Sequence, residues 1–271
     1  MLVTVDTGGT KILITAFAAD GKPGELFRYP TPQNEDENLA TLIEHIHDKY
    51  PKSDIDGIVI GAPGIIRKNS IVWGGSNLPW QNFDIASPLK AAFGCPVWLE
   101  NDANLAGLAE ARMMRKTPGS CLYVTISTGI GTGIILDGHI APGLSASEGG
   151  HSLVEYDGRV MRWESFASGK SIYNTYGKYA RDIKSRSVWN QIADKISRGF
   201  LAIIPVLQPD VIVIGGSIGT YYEQYRVPLN RILKEHLPPH IDLPEIRQAE
   251  YPEEAVVYGC YYYGKDKLAA D

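Results

Sequence analysis

The decapeptide Leu2–Lys11, LVTVDTGGTK, is the stretch from which the rest of the chain can be read. Val3 and Val5 alternate with Thr4, as the residues of a half-buried β-strand do. Asp6, Thr7, Gly8, Gly9 and Thr10 follow, with little side-chain bulk after the aspartate. Consecutive glycines let backbone N–H groups turn toward one point and let an anion approach the backbone closely. The apolar run Ile12–Phe17 reads as a returning strand, so the turn joins the two arms of a hairpin. It is therefore not a phosphate loop of the Rossmann or Walker type, both of which run from strand into helix. For a single copy, a plain hairpin with Gly-Gly in its turn explains the residues as well.

The chain contains a second copy. Tyr123–Leu136 reads YVTISTGIGTGIIL, and Val124-Thr125-Ile126-Ser127-Thr128-Gly129 repeats Val3-Thr4-Val5-Asp6-Thr7-Gly8 step for step. Each copy continues into an apolar strand and then an Asp-Gly turn, Asp20-Gly21 and Asp137-Gly138. The copies lie nearly half a chain apart, which points to a duplicated α/β unit rather than a short solenoid period. Two phosphate turns on two halves suggest a nucleotide clamped between them. The expected division is an N-terminal α/β domain over 1–117, completed by a C-terminal helix within 253–271, and a larger C-terminal α/β domain over 118–252.

Composition narrows the class. A chain of 271 residues with 44% hydrophobic and 21% charged residues has ample core for one large or two modest domains. A net charge of −5 and the lack of a basic tract argue against nucleic-acid binding. No apolar run approaches a membrane span, and the N-terminus enters a strand without a signal peptide. Cys95, Cys121 and Cys260 are scattered, odd in number and without a CxxC pair. That usage fits reduced, buried thiols in the cytoplasm.

Taken in order, Gly24–Tyr29 adds a third strand and Pro30–Asp36 a polar linker. Glu37–Tyr50 is helical, with His45 and His47 read as solvated residues rather than ligands. A buried strand, Ile55–Ile60, leads into Gly61-Ala62-Pro63-Gly64, a turn placed to line a cleft. Ile65–Trp73 has strand character. Trp73 and Trp80 either stack on a ligand or pack in the core. Ile85–Phe93 is a short helix and Val97–Leu99 a strand. Glu100-Asn101-Asp102-Ala103-Asn104 then opens a helix over Leu105–Met114. Asn101 or Asp102 stands where an N-cap belongs. An aspartate at a strand end and helix start also faces a cleft, where it can accept a proton from an attacking hydroxyl. The two readings are compatible, since Asn101 or another group can provide the cap.

Glu148-Gly149-Gly150-His151 suits hydroxyl recognition, because a carboxylate accepts and a neutral imidazole donates or accepts. Glu164 stands at an expected helix start. Lys170–Ser187 is helical or mixed. Val188–Leu207 is a long amphipathic helix stopped by Pro209. The buried strand Val211–Ile214 runs into the turn Gly215-Gly216-Ser217 before a helix over Tyr221–His236. The last strand, Ile246–Ala249, precedes a helix over Glu253–Lys267.

With these pieces assembled, the chain resembles the ROK sugar-kinase family of the actin-like ATPase (ribonuclease-H-like) superfamily over nearly its whole length. The resemblance rests on DTGGTK at Asp6–Lys11, GAPG at Gly61–Gly64, NLPW at Asn77–Trp80, ENDAN at Glu100–Asn104, STGIGTG at Ser127–Gly133, EGGH at Glu148–His151, ESFASG at Glu164–Gly169 and IGGS at Ile214–Ser217. It implies two α/β domains around a cleft and ATP-dependent, Mg²⁺-assisted phosphorylation of a hexose, usually at the 6-hydroxyl. It makes Asp102 the catalytic base. It gives Gly64, Asn77, Asn101, Asp102, Glu148, His151 and Glu164 to the sugar. Asp6 would hold Mg²⁺ through water. Gly8, Gly9, Thr10, Lys11, Thr128, Gly129, Gly131 and Thr132 would hold the phosphates, and Gly215, Gly216 and Ser217 the adenosine. Relatives are commonly dimers, so a homodimer is expected.

One departure stands out. Many family members carry a Cys-rich zinc loop before the glutamate that matches Glu164, whereas Tyr156–Trp163, YDGRVMRW, has no cysteine. No structural zinc is expected, and packing must hold this loop instead. The family's repressors have an N-terminal helix-turn-helix domain. Here Met1 leads directly into the phosphate strand, so a kinase is expected. A sugar sensor without catalysis, or a kinase using polyphosphate in place of ATP, is the alternative.

Overall fold

The computed structural model describes residues 1–75, 78–251 and 254–270; Asn77 lies outside them. The chain divides into two compact units, Met1–Ala109 with Glu253–Asp271, and Glu110–Pro252.

The first unit is built on a five-stranded sheet. Strands β1 (Leu2–Thr7), β2 (Lys11–Phe17), β3 (Phe27–Pro30), β4 (Gly57–Ala62) and β8 (Val97–Asn101) lie in the order β3-β2-β1-β4-β8. β1 runs antiparallel to β2 and parallel to β4, and β4 is parallel to β8. β4 is continuously apolar, and β1, expected from its Val-Thr alternation to be half-buried, is instead covered on both faces, with Thr4 and Thr7 fully buried. The strand character expected over Ile65–Trp73 is realised as a small antiparallel sheet of β5 (Ile65–Arg67), β6 (Ser70–Trp73) and β7 (Gln81–Phe83). Lys68 and Asn69 break that stretch by taking positive φ, 49° and 59°, in the turn between β5 and β6. Trp80 is fully buried, whereas Trp73 is 37% exposed.

Helix α1 (Glu35–Lys49) is capped by Asn34, whose side chain accepts from the Glu37 N–H. His45 departs from the expected solvated residue. It packs on Phe27 and Tyr29, with ring centroids 4.9 and 5.8 Å from Phe27 to His45 and Tyr29 respectively, and 4.5 Å between Tyr29 and His45. A short helix α2 (Ala86–Phe93) ends on left-handed Gly94. The C-terminal helix α9 (Ala255–Ala270) packs on β1, β2 and β4.

The second unit repeats the plan. Helix α3 (Asp102–Met113) leads from β8 of the first unit into it. Strands β9 (Ser120–Ile126), β10 (Ile130–Leu136), β11 (His139–Ile140), β14 (Val211–Gly215) and β15 (Glu245–Gln248) lie in the order β11-β10-β9-β14-β15. β9 is antiparallel to β10 and parallel to β14, as β1 is to β2 and β4. The sequence repeat is therefore a structural repeat.

Between the halves of this sheet the chain forms a hairpin of β12 (Leu153–Tyr156) and β13 (Arg159–Arg162), then α4 (Glu164–Ala167) and α5 (Gly169–Tyr176). Gly177 ends α5 in the left-handed conformation and a 3₁₀ turn, Ala180–Asp182, follows, so Lys170–Ser187 takes the mixed form expected for it. Ser185 caps the long helix α6 (Arg186–Leu207). It ends at Leu207, as expected, with Gln208 taking the left-handed conformation just before Pro209; Pro205 sits inside the helix. α7 (Gly216–Gly219) and α8 (Tyr222–His236) complete the unit, and α8 packs along α6.

Candidate active site

In the first unit, three parallel strands bring their carboxyl ends together. Asp6 of β1 pairs in register with Gly61 of β4, and Gly61 with Glu100 of β8. Asp102 follows two residues later. The turn after Asp6 is closed by the Gly8 N–H, which donates to the Lys11 carbonyl at 3.0 Å. Its outward carbonyls are held from the supposed linker. The Thr31 hydroxyl donates to Gly8 O at 2.6 Å, the Thr31 N–H to Thr10 O at 3.0 Å, and Gln33 Nε2 to Gly9 O at 3.2 Å. Thr31 and Gln33 are supports that no local pattern announced.

Burial, then the negative charge of Asp102, push the Asp6 carboxyl up to about 7, against a smaller opposing effect of Lys11. The folded chain thus keeps a proton that the unfolded chain releases near pH 4. The contribution of Asp6 to stability must fall as pH rises through that window and stay low above it. Asp6→Asn should therefore stabilise the ligand-free protein at pH 8 by on the order of 1–2 kcal/mol and flatten the slope between pH 4 and 7. Urea unfolding at pH 5, 7 and 8 checks this; parallel curves for the two proteins would refute it.

At the start of α3, Asn101 is the N-cap. Its Oδ1 accepts from the N–H groups of Ala103 (2.9 Å) and Asn104 (3.2 Å), and its Nδ2 donates to Gly64 O at 3.0 Å. Asn101 thereby ties the Gly61–Gly64 turn to the helix. Gly64 takes φ +86°, and a Cβ there would lie 2.0 Å from Trp73 O, so only glycine fits. With Asn101 as cap, Asp102 is released from that duty. Its Oδ1 accepts from the Ala103 N–H at 2.8 Å. Burial raises the Asp102 carboxyl above the usual range, against the N–H bonds that lower it. Glu100, not singled out in the sequence, accepts from the Asn101 N–H and from Asn104 Nδ2 and so braces the same corner.

In the second unit, the turn after β9 meets two other segments. The Ser127 N–H donates to Gly129 O, and the Gly169 N–H donates to Ser127 O at 2.6 Å. Gly216, at φ +77°, sits against the Ile126 backbone, where a Cβ would come within 2.6 Å. Thr128 and Gly129, the Gly215–Ser217 turn and the start of α5 are thus brought together. Thr132 is buried; its hydroxyl donates to Ser147 O at 3.3 Å and accepts from the Gly149 N–H at 3.0 Å. It braces the loop carrying Glu148 and His151. The glycine pair in that loop is explained by close packing on β10, since a Cβ on Gly150 would lie 2.1 Å from Ile130 O.

His151 and Glu164 meet, with Nε2 3.2 Å from Oε1. A carboxylate only accepts, so Nε2 is the nitrogen that donates. The other Glu164 oxygen accepts from the Ile130 N–H at 3.4 Å and lies where a Cβ on Gly129 would come within 2.8 Å. Glu164 therefore touches both the His151 loop and the second turn. Among the described residues, no three of His, Cys, Asp or Glu form a group that could hold a metal ion. No described helix is long and apolar enough to cross a membrane.

The model of the ROK family matches residues 2–267. The chain belongs to the ROK family. A fructokinase of Zymomonas mobilis is 30% identical to this ROK protein over 240 residues, 79% of this chain and 78% of that one. An inorganic polyphosphate/ATP-glucomannokinase from Arthrobacter sp. strain KM is 27% identical, covers 98% of each chain and has a TM-score of 0.73. A ROK family glucokinase from Streptomyces griseus, in complex with glucose and AMPPNP, is 20% identical with a TM-score of 0.80 over 98% of this chain, a likeness of fold. A xylose repressor of Bacillus spizizenii is 26% identical over 230 residues, 76% of this chain and 59% of that one, and a ROK family transcriptional regulator of solved structure has a TM-score of 0.79 at 20% identity over 98% of this chain and 80% of that one. The fold of this ROK protein is that of the actin-like ATPases, two α/β units of matching strand order.

Proposed function

We propose that this protein is a sugar kinase that transfers a phosphoryl group from ATP to the 6-hydroxyl of a hexose, with Asp102 as general base. The observation that carries this reading is the state of Asp102. It stands at a strand end beside the Asp6 turn, one oxygen fixed by the Ala103 N–H, and Asn101 takes over the capping role. Fixed by that bond, Asp102 is oriented to accept the hydroxyl proton as the oxygen attacks phosphorus. In the second unit, Glu148, His151 and Glu164 would bind sugar hydroxyls, and Thr128–Gly131 and Gly215–Ser217 the nucleotide.

Asp6 fits a magnesium ion carried in with the nucleotide. Its carboxyl is held partly protonated by burial and by Asp102, and a nearby cation would relieve both effects. Such an ion, when bound, would neutralise phosphate charge. Lys11 and the turn amides would orient the same phosphates. Positioning and charge compensation are the main demands of phosphoryl transfer, and these residues supply both.

Glu164→Gln should weaken sugar binding about 10–100-fold, as expected when a charge-assisted hydrogen bond loses its charge. Nucleotide affinity should change by no more than about threefold, since Glu164 supports the second turn through a single N–H. Calorimetry with each ligand separates the two effects, and equal weakening of both would assign Glu164 to the turn instead.

The deciding experiment is coupled ADP release from Mg·ATP across glucose, fructose, N-acetylglucosamine, N-acetylmannosamine and allose. Sugar-dependent turnover confirms the kinase and names its substrate. Turnover only with polyphosphate would favour the donor named for the Arthrobacter protein. Sugar binding without turnover on either donor would make the protein a sensor.

A further inference from the structure

The hairpin of β12 and β13 has only two strands, and Leu153 and Val160 on its outer face are 69% and 72% exposed. A two-stranded hairpin is marginal by itself. Yet it leads directly into Trp163 and Glu164, and Glu164 must be held to a fraction of an ångström to meet His151 at 3.2 Å. One face of α6 packs against this segment.

Lys195, Arg198 and Gly199 lie at three- and four-residue spacing and so share that face. Lys195 is buried, and its Nζ stands 4.4 Å over the Tyr156 ring and 6.0 Å from the Phe166 ring. Those two rings stack at 4.4 Å with planes 4° apart. The Lys195 carbonyl accepts from Trp163 Nε1 at 3.3 Å. The Trp163 ring lies flat on Gly199, where a Cβ would come within 2.0 Å, and Phe200 meets it edge-on. Arg198 sits between Asp194 at 2.8 Å and Glu155 of the hairpin at 3.9 Å. Trp163 precedes Glu164 and Phe166 follows it two residues later, so an aromatic ring on each side of the glutamate meets α6.

We infer that Lys195, through its contact with the Tyr156–Phe166 stack, is a positioning residue that sets the place of Glu164 against His151 and thereby the affinity for sugar. A buried cation over an aromatic face is attracted by the ring quadrupole and resists sliding of the stack. The loop Tyr156–Trp163 has no cysteine or histidine, and this clasp works alongside the Ile130 N–H to Glu164 and the Trp163 N–H to Ser152 O. The consequence for sugar affinity rests on the proposed sugar-kinase reading; the positioning of Glu164 does not.

The test compares Lys195→Met, which keeps length and apolar stem, with Lys195→Arg, which keeps the cation. Lys195→Met should raise the KM for the preferred hexose about tenfold while kcat and the KM for ATP stay within about threefold, and Lys195→Arg should restore most of the loss. The ring ¹⁵N shifts of His151, assigned with His151→Gln, supply a readout that needs no sugar. In Lys195→Met they should move toward those of Glu164→Gln, and in Lys195→Arg they should return. Unchanged His151 shifts in Lys195→Met, or a loss of thermal stability with no change in either readout, would overturn the inference. If the wild type binds none of glucose, fructose or N-acetylmannosamine but the His151 shifts move as stated, the clasp stands and the sugar reading falls.

Discussion

Asp102→Asn is expected to lower turnover on the order of a thousandfold or more while leaving the fold and sugar affinity nearly intact, the loss typical of removing a general base and its charge. The substitution is isosteric. An asparagine carbonyl can accept the Ala103 N–H as Asp102 Oδ1 does, and the cap of α3 belongs to Asn101, so the helix keeps its start. What disappears is the ability to take a proton. Burial of a neutral amide is easier than burial of a carboxylate, so the variant should be at least as stable as its parent. It should also relieve Asp6, whose carboxyl is held up in part by the Asp102 charge. Because burial raises the Asp102 carboxyl itself, the wild-type rate should fall on the acid side of neutrality as the base becomes protonated. Steady-state kinetics with calorimetry of sugar binding checks the set. Near-normal turnover in the asparagine variant would remove Asp102 from the chemistry.

Gly259→Ala is expected to destabilise the protein by about 3 kcal/mol or more, the range seen when a well-packed interior is overfilled. The sign runs against local propensity, because alanine in a helix interior normally gains about 0.5–1 kcal/mol over glycine. Here the added Cβ would lie 2.0 Å from Leu105 O and 2.4 Å from Leu105 C. Both are backbone atoms of α3, which cannot swing aside as a side chain can. Either α9 lifts from its bed on β1 and β4, or α3 shifts and carries Asp102 with it. The bed is tight along its length: a Cβ on Gly61 would meet Val256 at 2.5 Å, and one on Gly264 would meet Val59 at 2.8 Å. Gly143→Ala is the control, since nothing lies within 4 Å of its added Cβ. Denaturant unfolding of both variants decides the matter. A Gly259→Ala protein as stable as wild type would mean that α9 is not closely seated.

The sequence alone was sufficient for the parts of this protein that depend on neighbours along the chain. Alternating Val3 and Val5, the glycine turn after Asp6, the repeat at Val124–Gly129 and a helix start at Asn101-Asp102 are local or periodic signals, and each is satisfied by a few residues in series; that Asn101 is the cap was decided by the structure. The matching strand orders of the two units follow from that repeat. Some boundaries shifted: α6 starts at Arg186, two residues before the expected Val188, and Lys68-Asn69 turn the stretch of strand character over Ile65–Trp73 into two strands. Tertiary structure alone decided which polar groups are engaged and with whom. Thr31 and Gln33 hold the first turn from 23 and 24 residues away, Thr132 holds the loop of Glu148, and Lys195 reaches the stack beneath Glu164. No spacing rule foretells such pairings, because a hydroxyl or ammonium carries the same propensity whether solvated or buried. Their partners are fixed only when sheets and helices have packed, and packing is a property of the whole chain. The attachment of α9 to the first strands is of the same kind, set by which glycines allow two backbones to touch.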